Sequence, residues 1–168
     1  MDSTELLTDA FDRIRDAVHP AVQGLTVDQL AARLDGEANS IAWLVWHLTR
    51  IQDDHIAGVA GTEQAWTADG WADRFGLPFG VDDTGYGQGP DEVAQVRADG
   101  SLLTGYHDAV HVRTTAFLAT LDEADLARIV DDSWDPPVSM ATRLVSVVAD
   151  DLQHVGQAAY VRGVISRR

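Results

Sequence analysis

The stretch Asn39-Ser-Ile-Ala-Trp-Leu-Val-Trp-His47-Leu-Thr-Arg-Ile-Gln-Asp-Asp-His55 decides the fold that the sequence predicts. Its apolar residues recur at the three- and four-residue intervals of an amphipathic helix. We expect this helix to begin near Asn39 or Ser40 and to continue to about Ala60. His47 lies at the edge of the apolar stripe, where a helical bundle places polar groups that act inside it.

Three further segments have the same periodicity, so the sequence predicts four long helices in total. The other three run from Ser3 to Val22, from about Ser101 to Leu121, and from Ser139 or Met140 to Ile165. No segment shows a convincing strand pattern. The predicted fold class is therefore all-α, a four-helix up-and-down bundle with long connecting loops and short extra helices. We expect residues 1–168 to form a single domain.

Residues 62–90 interrupt the helical pattern with glycines and prolines. Five aromatic residues lie between these breaks: Trp66, Trp71, Phe75, Phe79 and Tyr86. A loop of this length in a compact domain is usually functional, and its aromatic content favours an ordered cover over a site. The consecutive prolines Pro136 and Pro137 predict a second loop over residues 131–137.

The composition excludes several classes of function. A net charge of −15 argues against nucleic-acid binding and against anionic membrane surfaces. No apolar run is long enough to cross a bilayer, and the acidic start does not resemble a secretory signal, so we expect a cytoplasmic protein. The sequence contains no cysteine and no lysine, which removes a protein thiol nucleophile and a lysine Schiff base. Any thiol chemistry would need a thiol from a cosubstrate.

The last helix carries a carboxylate one turn before a histidine. Asp150 and His154 are four residues apart, so both side chains leave the same face of the helix. Such a pair can bind a divalent metal with a third ligand from a neighbouring helix, and His47 is the candidate. The spacing alone also fits a simple salt bridge. Asp151 is an alternative carboxylate, but it lies nearer the apolar centre of the helix, which favours Asp150.

Other polar residues on the helices have weaker chemical interpretations. Asp54 faces the same side as His47 and could accept a hydrogen bond from its imidazole. His107 and His111 form a second pair at helical spacing, which we interpret as surface residues or salt-bridge partners. Arg50, Arg162 and Tyr160 could hold an anionic substrate. Arginines on the helices of an acidic protein are, however, more often surface ion-pair partners.

The stretch from Asn39 to His55 and the stretch Asp150-Asp-Leu-Gln-His154-Val-Gly-Gln-Ala-Ala-Tyr-Val-Arg-Gly163 resemble the DinB-like (YfiT-like) superfamily, in particular its small actinobacterial members of unassigned function. The resemblance implies a four-helix bundle that binds a divalent metal, zinc or nickel, through His47, Asp150 and His154. Many members have histidine at the first of the two positions on the last helix. The mycothiol-dependent maleylpyruvate isomerase branch has a carboxylate there.

The same resemblance implies a metal-dependent enzyme that uses a low-molecular-weight thiol of the mycothiol type. Its partners would be a small-molecule thiol and an electrophile, in an S-transferase or isomerase reaction. It also implies a homodimer. The alternative is a non-catalytic metal-binding or stress-response scaffold, or a dimerisation module. An enzyme should have a pocket beneath the segment from Trp66 to Tyr86, whereas a scaffold should fill that space with side chains.

Overall fold

The computed structural model describes residues 2–167, and helices dominate it. The helices are α1 (Ser3–Val22), α2 (Val27–Leu30), α3 (Ile41–Ala60), α4 (Ala65–Ala68), α5 (Trp71–Phe75), α6 (Pro90–Val93), α7 (Gly100–Leu118), α8 (Glu123–Ala127) and α9 (Met140–Ile165). Two short strands are β1 (Ile129–Asp131) and β2 (Val138–Ser139). The all-α prediction is confirmed. Within the described residues, every helix is too short or too polar to cross a lipid bilayer.

The long helices begin and end where local chemistry satisfies their free backbone groups. Asp2 caps α1 in a capping box with Glu5, and the hydroxyl of Ser40 accepts from the backbone N–H of Trp43 to start α3. Gly61 ends α3 in the left-handed conformation, with φ of 69°. Ser139 caps α9, which begins one residue later. These caps satisfy the backbone N–H groups at the helix starts and the carbonyls at the end of α3.

The four long helices form a bundle in which α1 and α3 occupy opposite corners. Both of them pack against α7 and α9. Contacts between Arg143 and His55, and between His154 and His47, show that α3 and α9 run in opposite directions. In contrast, Gln52 bonds Thr114 and the more N-terminal Arg50 lies 3.4 Å from the Tyr106 hydroxyl, so α3 and α7 run in the same direction. The connection over residues 61–99 therefore returns the chain to the end of the bundle at which α3 began. The predicted four-helix bundle is present, but the consecutive helices α3 and α7 are parallel and do not alternate as in the predicted up-and-down order.

The two strands are a structural feature that the sequence did not predict. β1 and β2 pair in antiparallel fashion around the predicted loop with its two prolines. Arg143 on α9 donates to the Asp131 carboxylate at 2.8 Å, and the Met140 backbone N–H donates to the Arg128 carbonyl. These contacts tie the loop back to the start of α9. Each strand is too short to give an alternating sequence pattern.

The aromatic residues of the long connection extend the hydrophobic core. Trp66 is 4% exposed, and its ring centroid lies 5.2 Å from that of Tyr106 on α7 and 6.3 Å from that of Trp46 on α3. Phe75 packs against the same Tyr106 ring. Side chains of α3 and α7 pack directly against Trp66, and a cavity of about 360 Å³ remains beside Trp46 and Trp66, lined also by residues between 72 and 81. Tyr86, at the far end of the segment, is 90% exposed and covers nothing.

The interface of α1 and α7 contains a histidine that the sequence interpretation misplaced. His111 pairs with Asp12 at 3.0 Å, in agreement with a salt-bridge role. The expectation that His107 lies at the surface is wrong, since this side chain is fully buried and neither ring nitrogen makes a hydrogen bond. The next residue, Asp108, forms the ion pair of this interface, because its carboxylate accepts a hydrogen bond from Arg15.

His107 will make the fold sensitive to acid. Burial, and to a lesser extent the charge of His111, lower the pKa of His107 from 6.5 to about 3, with Asp108, His19 and Arg15 as the other nearby charges. Because the unfolded imidazole binds a proton more readily, the free energy of unfolding should fall as the pH drops from 6.5 towards 3, by up to about 1.4 kcal/mol per pH unit. Urea denaturation across this pH range should show that the free energy of unfolding depends less steeply on pH in His107→Phe than in the parent protein. Equal slopes in the two proteins would contradict the assignment.

Candidate metal centre

The α3 side of the site consists of His47 and the aromatic ring that supports it. His47 is 5% exposed, and Trp43, one turn earlier, stacks on its imidazole with centroids 4.5 Å apart. The Nδ1 atom lies 2.6 Å from the backbone carbonyl of Thr84. Because a carbonyl only accepts, Nδ1 must carry the proton, and the lone pair is on Nε2. Burial lowers the pKa of His47, which favours the neutral imidazole that a metal requires.

On the α9 side of the site, His154 is also oriented by a hydrogen bond at Nδ1, but its partner lies on the same helix. His154 donates from Nδ1 to the Oε1 atom of Gln157 at 2.9 Å, so its Nε2 atom also has a free lone pair. This Nε2 lies 3.7 Å from Oδ1 of Asp150, one turn earlier. The second oxygen of Asp150, Oδ2, is buried and makes no hydrogen bond. A buried carboxylate oxygen without a donor is costly unless a cation binds there.

His47, Asp150 and His154 each present one ligand atom, and these atoms all lie within 4.8 Å of one another. Two neutral imidazoles and a carboxylate are a donor set of catalytic zinc sites, which leave a further position open. The orientation of both rings by a hydrogen bond at Nδ1 is the usual arrangement around metal-binding histidines. The side chains of Asp150 and His154 are 35% and 19% exposed, so the group opens on the α9 side. The three residues therefore fit a divalent metal.

Asp151 occupies a different place from its neighbour. Its side chain is completely buried in the bundle, and neither of its oxygens makes a hydrogen bond. Burial raises the pKa of Asp151 well above its usual range, and the charge of Asp150 adds to the effect. Both factors favour the neutral acid. The structure thus groups Asp150, and not Asp151, with the two histidines.

The segment Asp83–Gln88 lies against α3 and holds His47 from outside. Arg50 donates from Nε to the Asp83 carbonyl at 3.1 Å, next to the Thr84 carbonyl that bonds His47. The Trp43 indole N–H donates to Gln88 at 2.8 Å. Between them Gly85 has φ of +93°, and a Cβ atom there would lie 2.8 Å from Nδ1 of His47. Only glycine allows the backbone to come this close to the imidazole.

Gly85→Ala should therefore weaken metal binding. The added methyl group must displace the His47 ring or the Thr84 carbonyl, and loss of such a supporting hydrogen bond typically costs about 10- to 100-fold in metal affinity. Gly87→Ala is the matched control, because Gly87 also has a positive φ, +78°, but a Cβ there meets no atom within 4 Å. Zinc affinity measured by chelator competition should fall in the first variant only. Equal affinities would mean that the contact with His47 has no effect on the ligand.

A buried ionic network beside His47 was missed by the sequence interpretation. Arg50 is completely buried, not a surface ion-pair residue, and its guanidinium lies 3.9 Å from Asp53 and 4.9 Å from the centre of the Trp66 ring. Asp53 accepts from the Tyr106 hydroxyl and from the backbone N–H groups of Ala65 and Trp66. The network fastens the start of the aromatic segment to α3. The sequence signal for this network was the spacing of Arg50 and Asp53, which are three residues apart on a helix with a buried face.

The expected role of Asp54 is also wrong. Its carboxylate accepts from the side-chain amide of Gln64 at 2.8 Å, whereas the Nδ1 atom of His47 bonds the carbonyl of Thr84. Residues seven apart are about 10 Å apart along a helix, which is too far for a direct hydrogen bond between these side chains. The partner of His47 instead comes from the long connection.

Two cavities adjoin the groove between α3 and α9, one on each side of the three candidate ligands. The amide cavity, of about 600 Å³, is lined in part by Glu37, Asn39, Gln153, Gly156, Gln157 and Tyr160. The ionic cavity, of about 410 Å³, is lined in part by Asp54, His55, Gly58, Arg128, Asp131 and Arg143. A third cavity, of about 360 Å³, lies beside Trp46 and Trp66. Trp46 precedes His47 by one residue, so this third cavity opens on another face of α3.

Helical bundle and ligand geometry together define a DinB-like protein with a candidate metal site. The family model of mycothiol-S-transferase matches residues 6–166. The chain therefore belongs to the mycothiol-S-transferase family, a DinB-like family. This confirms the resemblance found in the sequence.

A solved structure has the same fold as this chain. The crystal structure of a conserved protein from Enterococcus faecalis is similar to this chain, with a TM-score of 0.92 and 29% sequence identity. The similarity covers 100% of this chain and 99% of that chain. None of the curated proteins compared with the chain matches it.

Proposed function

We propose that this protein is a divalent-metal-dependent S-transferase that joins mycothiol to an electrophilic small molecule. The observation that carries the proposal is the convergence of His47, Asp150 and His154, with both imidazoles held by a hydrogen bond at Nδ1. Family membership supports the thiol, and the donor set suits zinc or nickel.

The residues of the chain would each have a defined part. His47, Asp150 and His154 would hold the metal, while Thr84 and Gln157 fix the two rings. A divalent metal in such a site lowers the pKa of a coordinating thiol, which makes the thiol a nucleophile near neutral pH. In the conjugation the thiol sulfur would form a bond to an electrophilic carbon, and a π bond of the electrophile or its bond to a leaving group would break. The thiol proton ends on the product in an addition, or leaves with the displaced group in a substitution.

One observation favours the alternative of a non-catalytic metal-binding scaffold. The space beneath Trp66 is filled by Trp46 and Tyr106, as expected of a scaffold. Two cavities lie along the groove between α3 and α9 beside the candidate ligands, so the electrophile of an enzyme would enter there. The cavity of about 360 Å³ beside Trp46 and Trp66 opens on another face of α3.

Metal content and thiol transfer distinguish the two functions. Mass spectrometry of the purified protein should find about one zinc or nickel ion per chain, and Asp150→Ala should lose it. The zinc-loaded protein should then accelerate the conjugation of mycothiol to a chlorobimane electrophile, whereas Asp150→Ala should not. Bound metal without acceleration for any of several electrophile classes would support the scaffold. A parent protein that binds none of several divalent ions would contradict both functions.

The homodimer also belongs to the proposal. Val145 and Leu152 on α9 are seven residues apart and are 57% and 47% exposed, so they form part of an apolar strip on the outside of the bundle. Light scattering coupled to size-exclusion chromatography should give twice the mass of the chain. A mass of one chain at all concentrations tested would remove the dimer from the proposal.

A further inference from the structure

We propose that the amide cavity binds the hydroxyl-rich part of the thiol cosubstrate. This inference takes the identity of the ligand from the proposed function. The position of the cavity is the first argument. Gln157 lines the cavity and also holds the ring of His154. Leu44, another lining residue, lies one turn before His47 on α3. A ligand in the cavity is therefore within one helical turn of two of the candidate metal ligands.

The lining of the amide cavity suits hydroxyl groups. Asn39, Gln153 and Gln157 provide side-chain amides, each of which can donate and accept, as a hydroxyl does. The Nε2 atom of Gln157 and the hydroxyl of Tyr160 make no hydrogen bond within the described part of the chain. Tyr160 is 68% exposed, so its ring is a free surface on which a sugar ring can pack.

The charge of the lining selects among thiols. Glu37 provides a carboxylate and no arginine or histidine lines the cavity, so a thiol with carboxylate or phosphate groups would find no cation there. Mycothiol joins a cysteine-derived thiol through an amide to a glucosamine–inositol pseudodisaccharide, so its sugar part is neutral and rich in hydroxyls. Small molecules of this size typically bind in cavities of about 300–1,000 Å³. The cavity of about 600 Å³ is within this range.

The ionic cavity is a poorer site for the same group. Its polar side chains already pair with each other, since Arg143 bonds both Asp131 and His55. Arg143 is also seven residues before Asp150, or about 10 Å along α9. A hydroxyl-rich ligand there would have to break existing ion pairs and would place its thiol farther from the candidate ligands.

Two helical glycines provide a matched test. Gly156 lines the amide cavity and Gly58 lines the ionic cavity, and a Cβ atom at either position meets no atom within 4 Å. Leucine is a good helix former, so Gly156→Leu and Gly58→Leu should each fill one cavity without disturbing the bundle. Circular dichroism and zinc stoichiometry should match those of the parent protein in both variants.

The binding of two probes to the zinc-loaded proteins is then measured by calorimetry. The probes are mycothiol and the N-acetylglucosamine–inositol pseudodisaccharide, which is neutral and has no thiol. Gly156→Leu should lower the affinity for both probes by at least about tenfold. Gly58→Leu should change neither affinity by more than about twofold. Unchanged binding in Gly156→Leu, or a larger loss in Gly58→Leu, would overturn the proposal.

The thiol-free probe separates this inference from the proposed function. If the pseudodisaccharide binds and Gly156→Leu abolishes its binding, the amide cavity is supported even when no conjugation of mycothiol is detected. If the parent protein conjugates mycothiol and Gly156→Leu binds both probes normally, the proposed function stands and the amide cavity is wrong. A parent protein that binds neither probe would overturn the proposal as well.

Discussion

His154→Ala and His47→Ala are each expected to lower the affinity for zinc by more than about 100-fold while the bundle stays helical. Loss of either imidazole removes one of the three ligand atoms that lie within 4.8 Å of one another. The remaining two donors cannot hold the ion against water at a site that opens to solvent beside Asp150. The fold should survive, because His154 makes its one side-chain hydrogen bond within its own helix, to Gln157.

His55→Ala is the control for this prediction. His55 lies on the same helix as His47, is partly buried and bonds Arg143, but it lies outside the group of candidate ligands. Mass spectrometry after dialysis against trace zinc, together with circular dichroism, should show full zinc content in His55→Ala and none in the two ligand variants. Stoichiometric zinc in either ligand variant would show that the ion binds elsewhere.

Asp53→Ala should have the largest effect on stability, a loss of about 3–5 kcal/mol in the free energy of unfolding. Asp53 is 3% exposed, lies 3.9 Å from the buried guanidinium of Arg50 and accepts from the Tyr106 hydroxyl. Its removal leaves the arginine as an uncompensated buried charge. It also leaves two backbone N–H groups at the start of α4 without their acceptor.

Asp69→Ala is the matched control, because it removes a carboxylate from an exposed ion pair. Asp69 bonds Arg113 at 2.8 Å, and both side chains are more than a third exposed. Pairs of this kind contribute about 0–1 kcal/mol. Urea denaturation should therefore separate the two variants clearly. If Asp53→Ala were no less stable than Asp69→Ala, the Arg50 network would not be a stabilising element.

Much of the bundle follows from the sequence because its helices are long and strongly amphipathic. The periodicity predicted α1 over Ser3–Val22, a start of α3 near Asn39 or Ser40 and a start of α9 at Ser139 or Met140. The pairing of Asp150 with His154 follows from the geometry of one helix. The choice of Asp150 over Asp151 rested on which residue points to the apolar centre, and the burial of Asp151 agrees with that reasoning.

The parts that the sequence did not reveal depend on contacts between distant segments. The Thr84 carbonyl belongs to an irregular segment without periodicity, so nothing in the sequence places it against His47. Arg50 is charged and helical, which usually means exposed, and only the packing of Trp66 and Tyr106 around it explains its burial. His107 was misjudged for a related reason, since its charged neighbour Asp108 suggested a solvated face.

The hydrogen bond from His47 to the Thr84 carbonyl makes the long connection a reporter of the metal site. Since the same ring offers Nε2 to the ion and Nδ1–H to the loop, any ligand that orders the ring also orders Asp83–Gln88, and the coupling free energy must be equal in both directions. The backbone amides of this segment should therefore exchange their hydrogens more slowly when zinc is present. Occupancy of the centre could then be read in solution without any substrate.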